Sequence, residues 1–260
     1  MTDSEAIFGF LVSLRARELS VDQLMAFGAP LGITATNLRS SLSRMAAKGL
    51  VEARKEGKRA FYSLAPKGQR IGGNVGLHFR EPDWSGWDGS WWGAFFSMPE
   101  AKERYALQKK LAAYRLRPLY PGFWARPYRE AEGIGEAFAS RASEGRFELA
   151  RLTFERAITR ERAAEAFGLE AIAARLAGAA ATAEASISRL DASGAEEAFA
   201  QWMRLGHELV NALALDPLLP PPLLPEDWPG PGLRARFSEW AGTCSARMKA
   251  FVAPILGSET

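Results

Sequence analysis

The sequence predicts an α+β protein of several domains, and three observations carry that expectation. The first third is basic, and its helix-type patterning ends in two strand-like runs. Residues 91–154 alternate strand-like and helix-like segments, and beyond them the apolar spacing stays close to the helical period. The composition shifts place domains at residues 1–72, 91–154 and 155–260, with a linker at 73–90.

Composition bounds the function classes. At 260 residues, 47% apolar and 24% charged, the chain has the make-up of a soluble globular protein large enough for more than one core. The net charge of +3 is unevenly spread: residues 1–80 hold 12 Lys+Arg against 6 Asp+Glu, and residues 81–260 hold 21 against 24. A basic module on a mildly acidic body predicts one region that meets a polyanion. The single cysteine, Cys244, cannot form an internal disulfide, and two distant histidines offer no metal-ligand pattern. No metal and no cofactor are expected. The apolar runs are too short to cross a bilayer, and Asp3 and Glu5 stand where a signal peptide needs basic residues. The expected location is cytoplasmic, with no membrane partner.

In the first module, "EAIFGFLVSL" is apolar on nearly all sides and reads as a buried helix. "SVDQLMAFGAPLG" starts at a candidate N-cap, Ser20, and stops around Gly28 to Pro30. Thr34 can cap a third helix running from Ala35 to about Lys48, with Gly49 as its left-handed stop. Leu38, Leu42 and Met45 fall within a narrow arc and face the core. The opposite arc holds Thr36, Asn37, Ser40, Ser43, Arg44 and Ala47, with Arg39 on its flank. Small side chains let such a helix approach a groove closely, and Asn and Arg can pair with base edges. "LVEARKEGKRAFYSL" then reads as two strands around Glu56-Gly57, with Arg54, Lys55, Lys58 and Arg59 at the tip.

Taken singly, these are a solvated helix face and a charged turn. Their order, and the charge gathered on them, instead fit a winged helix-turn-helix on double-stranded DNA, the third helix in the major groove and the wing on phosphates. The alternative is a winged helix that binds protein, without salt-sensitive DNA affinity.

A Gly- and Trp-rich stretch, "IGGNVGLHFREPDWSGWDGS", reads as a linker partly packed by its tryptophans. From Trp91 the text gives a strand "WWGAFFSM", a helix "PEAKERYALQKKLAAYRL", two strands around Pro121-Gly122, a helix "YREAEGIGEAFASRA" and a strand "GRFELARLTF". The order β-α-β-β-α-β is that of a ferredoxin-like sandwich. The last hundred or so residues read as helical. "TRERAAEAFGLEAIAARLAGAAATAEASISRL" is Ala-rich, and the next helix puts Phe199, Trp202, Gly206, Leu209 and Leu213 on one face. In "DPLLPPPLLPEDWPGPGLRARFSEW" the prolines preclude regular helix, while the leucines and Trp228 predict a belt packed over a surface.

Several of these stretches resemble the PaaX family, bacterial transcriptional regulators named for repression of phenylacetate degradation. The likeness runs through "PLGI", "RSSLSRM", "GKRAFYSLAPKG", "WMRLGHEL" and the "DPLLP" to "LLPEDWPG" run. The resemblance implies repression of genes for aromatic acid catabolism, with release by an aryl-acyl coenzyme A thioester such as phenylacetyl-CoA. A homodimer would set two third helices in successive major grooves of an inverted-repeat operator. The effector pocket is expected between the middle and C-terminal parts. Asn37, Arg39, Ser40 and Arg44 are the candidates for base contacts, with Thr36 and Ser43 on the same face. Arg54, Lys55, Lys58 and Arg59 are the candidates for phosphates.

The middle domain of that family is similar to the small metal-dependent nucleases of CRISPR adaptation, which raises nuclease activity as the enzymatic alternative. Those enzymes hold a divalent cation with an Asp at the end of the first strand, where "FFSMPE" here places Ser97. Glu100 fits the first turn of the next helix better than a metal site. His207 reads as a hydrogen-bonded structural histidine and Cys244 as a small buried hydrophobe. Trp124 and Arg126 alternate with Phe123 and Ala125 as the two faces of a strand. No nucleophile-base pair or phosphate-loop motif occurs, so no enzymatic activity and no catalytic residue are expected.

Overall fold

The computed structural model describes residues 1–14, 18–75, 79–129, 133–142, 146–190 and 192–257. Two units are separately packed: Met1–Arg80 with Arg175–Asp216 and Pro229–Thr260, and Glu81–Ala174 with Pro217–Trp228. Packing thus divides the residues expected to form one C-terminal part between two bodies.

In the first unit, helix α1 (Asp3–Ser13) begins with a reciprocal capping box between Thr2 and Glu5. Ser20 and Gln23 make the same box for α2 (Val21–Gly28), so two orphan N–H groups are satisfied at each start. A 3-10 turn at Ala29–Leu31 ends at Gly32, whose φ of 76° suits a residue without Cβ. Helix α3 (Ala35–Ala47) follows its expected cap at Thr34, and Gly49 takes the left-handed stop at φ 66°. Strands β2 (Val51–Glu56) and β3 (Arg59–Leu64) form the expected hairpin, turning at Gly57 with φ 58°.

Two elements here were not anticipated. Strand β1 (Leu19–Ser20) is only a two-residue addition to β3. Helix α4 (Pro66–Val75) carries three glycines, which disfavour helix, and it claims the start of the supposed linker. At least one of those glycines serves packing: a Cβ on Gly68 would lie 2.1 Å from the Leu50 carbonyl oxygen. Residues 76–78 of the linker lie outside the described residues.

Helices α8 (Leu169–Leu190), α9 (Ala195–Leu215) and α10 (Gly230–Gly257) provide the rest of this unit, α8 from Arg175 onward. Phe199 and Met203 of α9 are buried in the same core as Phe10, Phe27, Leu38, Leu42 and Met45, and Phe251 of α10 packs against it. The Phe199 ring lies 5.9 Å from Phe10, 5.5 Å from Phe27 and 5.2 Å from Phe251. Trp202 stacks on Trp240 at 5.6 Å, with Gly206 making room for that ring. A buried Arg234–Asp216 ion pair at 2.6 Å ties α10 to the end of α9. The irregular stretch is shorter than its proline content suggested. Helix α10 starts at Gly230 because Pro231 falls in its first turn, where a missing N–H costs no hydrogen bond.

The second unit holds β4 (Trp91–Phe96), α5 (Ala101–Ala113), β5 (Arg117–Tyr120), β6 (Phe123–Pro127), α6 (Ile134–Ala142) and β7 (Phe147–Leu152). The β-α-β-β-α-β order is the expected one, and the antiparallel sheet runs β5-β6-β4-β7. Residues 130–132, in the stretch expected to open α6, lie outside the described residues. Ala94, Leu107, Leu111, Phe138 and Phe147 form a core of their own. Trp84 and Trp87 continue a chain of ring contacts toward Trp91, as expected for a packed segment. Helix α7 (Arg160–Phe167) ends at Gly168, φ 66°, so the Ala-rich stretch forms two helices, α7 and α8. The belt buries Leu219, Leu223 and Trp228 around a 3-10 turn at Pro221–Leu223. Among the described residues, no single helix is long and apolar enough to cross a membrane.

If α9 closes the core of the N-terminal helices, Phe199→Ala should cost about 3–5 kcal/mol. Hydrogen exchange would show the loss in α1, α2 and α3, more than a hundred and fifty residues away in sequence, with the second unit unchanged. Loss of protection confined to α9 would mean that the N-terminal helices stand by themselves.

Candidate nucleic-acid interface

Helix α3 owes its orientation to its buried side. Leu38, Ser41, Leu42 and Met45 point inward, and Asn37 N–H donates to the Thr34 hydroxyl at 3.2 Å, fixing the first turn. Thr36, Asn37, Arg39, Ser40, Ser43 and Arg44 are all exposed. At 100° per residue, Thr36, Ser40, Ser43 and Ala47 make a central strip of small side chains, with Arg39 on one flank and Arg44 on the other. The two arginines differ in state. Arg44 is held along its own helix, Nη1 donating to Ser40 Oγ at 2.7 Å and Nη2 to the buried Ser41 Oγ at 3.0 Å. Arg39 has no such brace among the described residues.

The hairpin tip sorts its cations in the same way. Arg54 donates to Glu18 and Glu56 in ion pairs of 2.6 and 2.7 Å and lies over the Phe61 ring at 4.7 Å. Hydrogen bonds, first to Glu18 and then to Glu56, raise its pKa further. Lys55, Lys58 and Arg59 are exposed and have no ion-pair partner among the described residues. With Arg39 they leave positive charges on the helix and the hairpin that have no ion-pair partner among the described residues. Glu18, which claims Arg54, was missed in the sequence because it is thirty-six positions away and the strand it precedes is two residues long.

A cavity of about 360 Å³ opens in the same unit, against the C-terminal end of α3. Its walls come from α1, α3, α4, α9 and α10, and they are mostly apolar: Phe8, Val12, Trp202, Met203, Val210 and Phe237. Arg44 and Lys48, one turn apart on α3, border it. Glu5 and His207 also reach it, 3.8 Å apart. The Glu5 carboxyl is held below the usual carboxylate range, chiefly by the Thr2 backbone N–H, despite the opposing effect of partial burial. His207 Nε2 lies 3.0 Å from the Asn211 amide, so it is the hydrogen-bonded histidine expected, but it also faces the cavity. No periodicity in the sequence could have shown that α1 and α9, two hundred residues apart, would enclose a space.

In the second unit, Ser97 follows β4 and its N–H donates to the Arg146 carbonyl. Glu100 is the N-cap residue of α5, one position before the turn expected for it, and its side chain makes no cap bond. Among the described residues no three His, Cys, Asp or Glu side chains gather where they could hold a metal ion. Arg126 is buried and donates to the Tyr114 carbonyl at 3.1 Å, while Phe123 and Ala125 are buried on the alternate positions.

Three family models match consecutive stretches of the chain: PaaX-like protein at residues 5–68, PaaX protein central Cas2-like domain at 85–164, and PaaX-like protein C-terminal domain at 167–254. Among solved structures, the uncharacterized protein Rv0674 from Mycobacterium tuberculosis is similar at a TM-score of 0.61 and 23% identity, over 96% of this chain and 98% of that one. That likeness concerns the fold. No curated protein matches the chain at a significant level.

Cys244 takes no part in either surface. It is fully buried in α10, and burial pushes its thiol up to about 12. The thiolate is the reactive form, so at pH 8 a chromogenic disulfide reagent should leave the folded chain unlabelled and label one thiol on denaturation. Rapid labelling of the native protein would contradict this placement.

Proposed function

The chain belongs to the PaaX family, and on that premise we propose that it is a DNA-binding transcriptional repressor. Its target is an operon for phenylacetate-type aromatic acid catabolism, and its release signal is an aryl-acyl-CoA such as phenylacetyl-CoA. It acts as a cytoplasmic homodimer on an inverted-repeat operator, one α3 in each of two major grooves about one helical turn, or a multiple of it, apart.

The observation that carries this reading is the set of uncommitted cations around a strip of small side chains. Arg39 flanks Thr36, Ser40, Ser43 and Ala47 on the exposed face of α3, and Lys55, Lys58 and Arg59 crown the adjoining hairpin. Small residues permit the close approach that base-edge contact needs, and cations free of internal partners can release phosphate counterions on binding. In the winged-helix reading, α3 is the recognition helix and β2–β3 the wing. Arg39, Asn37 and Ser40 take base edges, Thr36 and Ser43 line the approach, and Arg44 reaches DNA only by leaving its serines. Lys55, Lys58 and Arg59 take phosphates. Arg54 contributes less, because Glu18 and Glu56 already hold it.

Mobility-shift titrations with fragments from upstream of the gene test these roles. Arg39→Ala should cost about 1–3 kcal/mol and blur preference at one operator position. Lys58→Ala should weaken all DNA nearly equally and lower the salt slope by about one, and Arg54→Ala should lower it by less. No binding to upstream fragments or bulk genomic DNA at low ionic strength would remove the repressor reading.

A further inference from the structure

We infer that the cavity between α1, α9 and the end of α3 is a ligand site for a small molecule with an apolar body and one anionic head, the head meeting Arg44 and Lys48, and that its occupant competes with DNA for Arg44. The inference rests on the repressor reading for its second half only. It places a ligand inside the first unit, not between the middle and C-terminal parts.

The walls state the chemistry of the body. A volume of about 360 Å³ is at the lower end of small-molecule sites, enough for an aryl or short acyl group but not for a nucleotide as well. Phe8, Val12 and Val210 offer such a group no hydrogen bonds and Trp202 adds a broad ring face, so burial of apolar surface is what it chiefly gains there. Ile71 of α4, 45% exposed, is also part of the lining and would be an unfavourable side chain to leave in water unless something covers it.

The border states the chemistry of the head. Arg44 and Lys48 are both exposed and lie on one face of α3. Among the described residues, Glu5 is the only carboxylate in the lining, and it is engaged by Thr2 and faces His207 rather than the two cations. A carboxylate or phosphate at this end receives charge-assisted hydrogen bonds from the Arg44 guanidinium. To make them, Arg44 must turn away from Ser40, a residue on the strip that faces DNA in the repressor reading. Arg44 cannot serve both anions fully, so ligand and DNA must each weaken the other's binding by the same factor.

Two fluorescent probes separate the parts of this inference: anilinonaphthalene sulfonate, which has the apolar body and a single negative charge, and phenylnaphthylamine, which has the body alone. Titrated into the full chain, both should bind at one site. Ile71→Trp, at an exposed position, should weaken both about tenfold or more, as should Val210→Trp if that variant keeps its melting temperature. Arg44→Gln or Lys48→Gln should weaken the sulfonate by roughly tenfold and leave the uncharged probe unchanged. Duplex DNA at low salt should release the sulfonate and not the amine. Displacement of the sulfonate by a free aryl carboxylate would assign the head to a carboxylate, and displacement only by a coenzyme A thioester would assign it to the phosphates of that carrier. Probe binding that ignores both tryptophan variants, or sulfonate binding that ignores both glutamine variants, overturns the site. Release of both probes alike by DNA overturns the competition. Failure of any DNA to bind removes the repressor reading and the competition together, while the site stands or falls on the probes alone.

Discussion

The core of the first eighty residues is shared with α9, and the aromatic contact of Phe199 with Phe10 and Phe27 is the centre of that shared core. Three short helices and a hairpin supply most of that cluster, and a module of this size has little apolar surface to spare for a core of its own. Helix α9 brings Phe199 and Met203 into the gap, and Phe251 and Ile255 of α10 pack behind them. Each aromatic pair is worth about 0.5–1.5 kcal/mol beyond the area it buries, so the cluster is a substantial part of the stability of a domain. A hydrogen bond from Gln23 to the Ile255 carbonyl, 232 positions apart, reinforces the same closure.

This dependence governs α3. Its inward residues Leu38, Leu42 and Met45 belong to the shared core, so the angle at which it presents Arg39 and Ser40 is set partly by side chains on α9. Gly9 marks how close that approach is, since a Cβ there would lie 2.6 Å from the Met203 methyl carbon. Where α1 and α9 part again, the cavity begins, and Met203 belongs both to the core and to the cavity wall. A packed interior resists small displacements, so a change in that wall is felt by the helix that shares it.

Local signals in the sequence were sufficient for most of the architecture. Thr34 and Gly49 mark the two ends of α3, Gly57 marks the hairpin, and the alternation around Pro121-Gly122 marks β5 and β6, because caps and turns are decided by neighbours in the chain. The six exposed positions of α3 were legible for the same reason, as the periodicity that buries Leu38 also exposes Ser40. What could not be read depends on residues far apart. Helix α4 forms despite Gly68, Gly72 and Gly73 because tertiary contact outweighs propensity. Arg54 looked identical to Lys58 in the sequence, and only the fold brings Glu18 to one of them. The union of α9 and α10 with the N-terminal helices had no local signal at all.

That union also orders events during synthesis. Domains tend to fold from the N-terminus as the chain emerges, but here α1, α2 and α3 emerge long before Phe199 and Phe251 can reach them. Until then Phe10 and Phe27 face an incomplete interior, and α3 lacks part of the surface that orients it. The second unit, with its own core around Phe138 and Phe147, meets no such delay in its main segment. A chain interrupted before α9 would therefore keep the basic residues of the hairpin but lack part of the core on which α3 packs. The positive charge alone can attract a polyanion, whereas a fixed helix angle requires a complete core, and the last quarter of the sequence supplies part of that core.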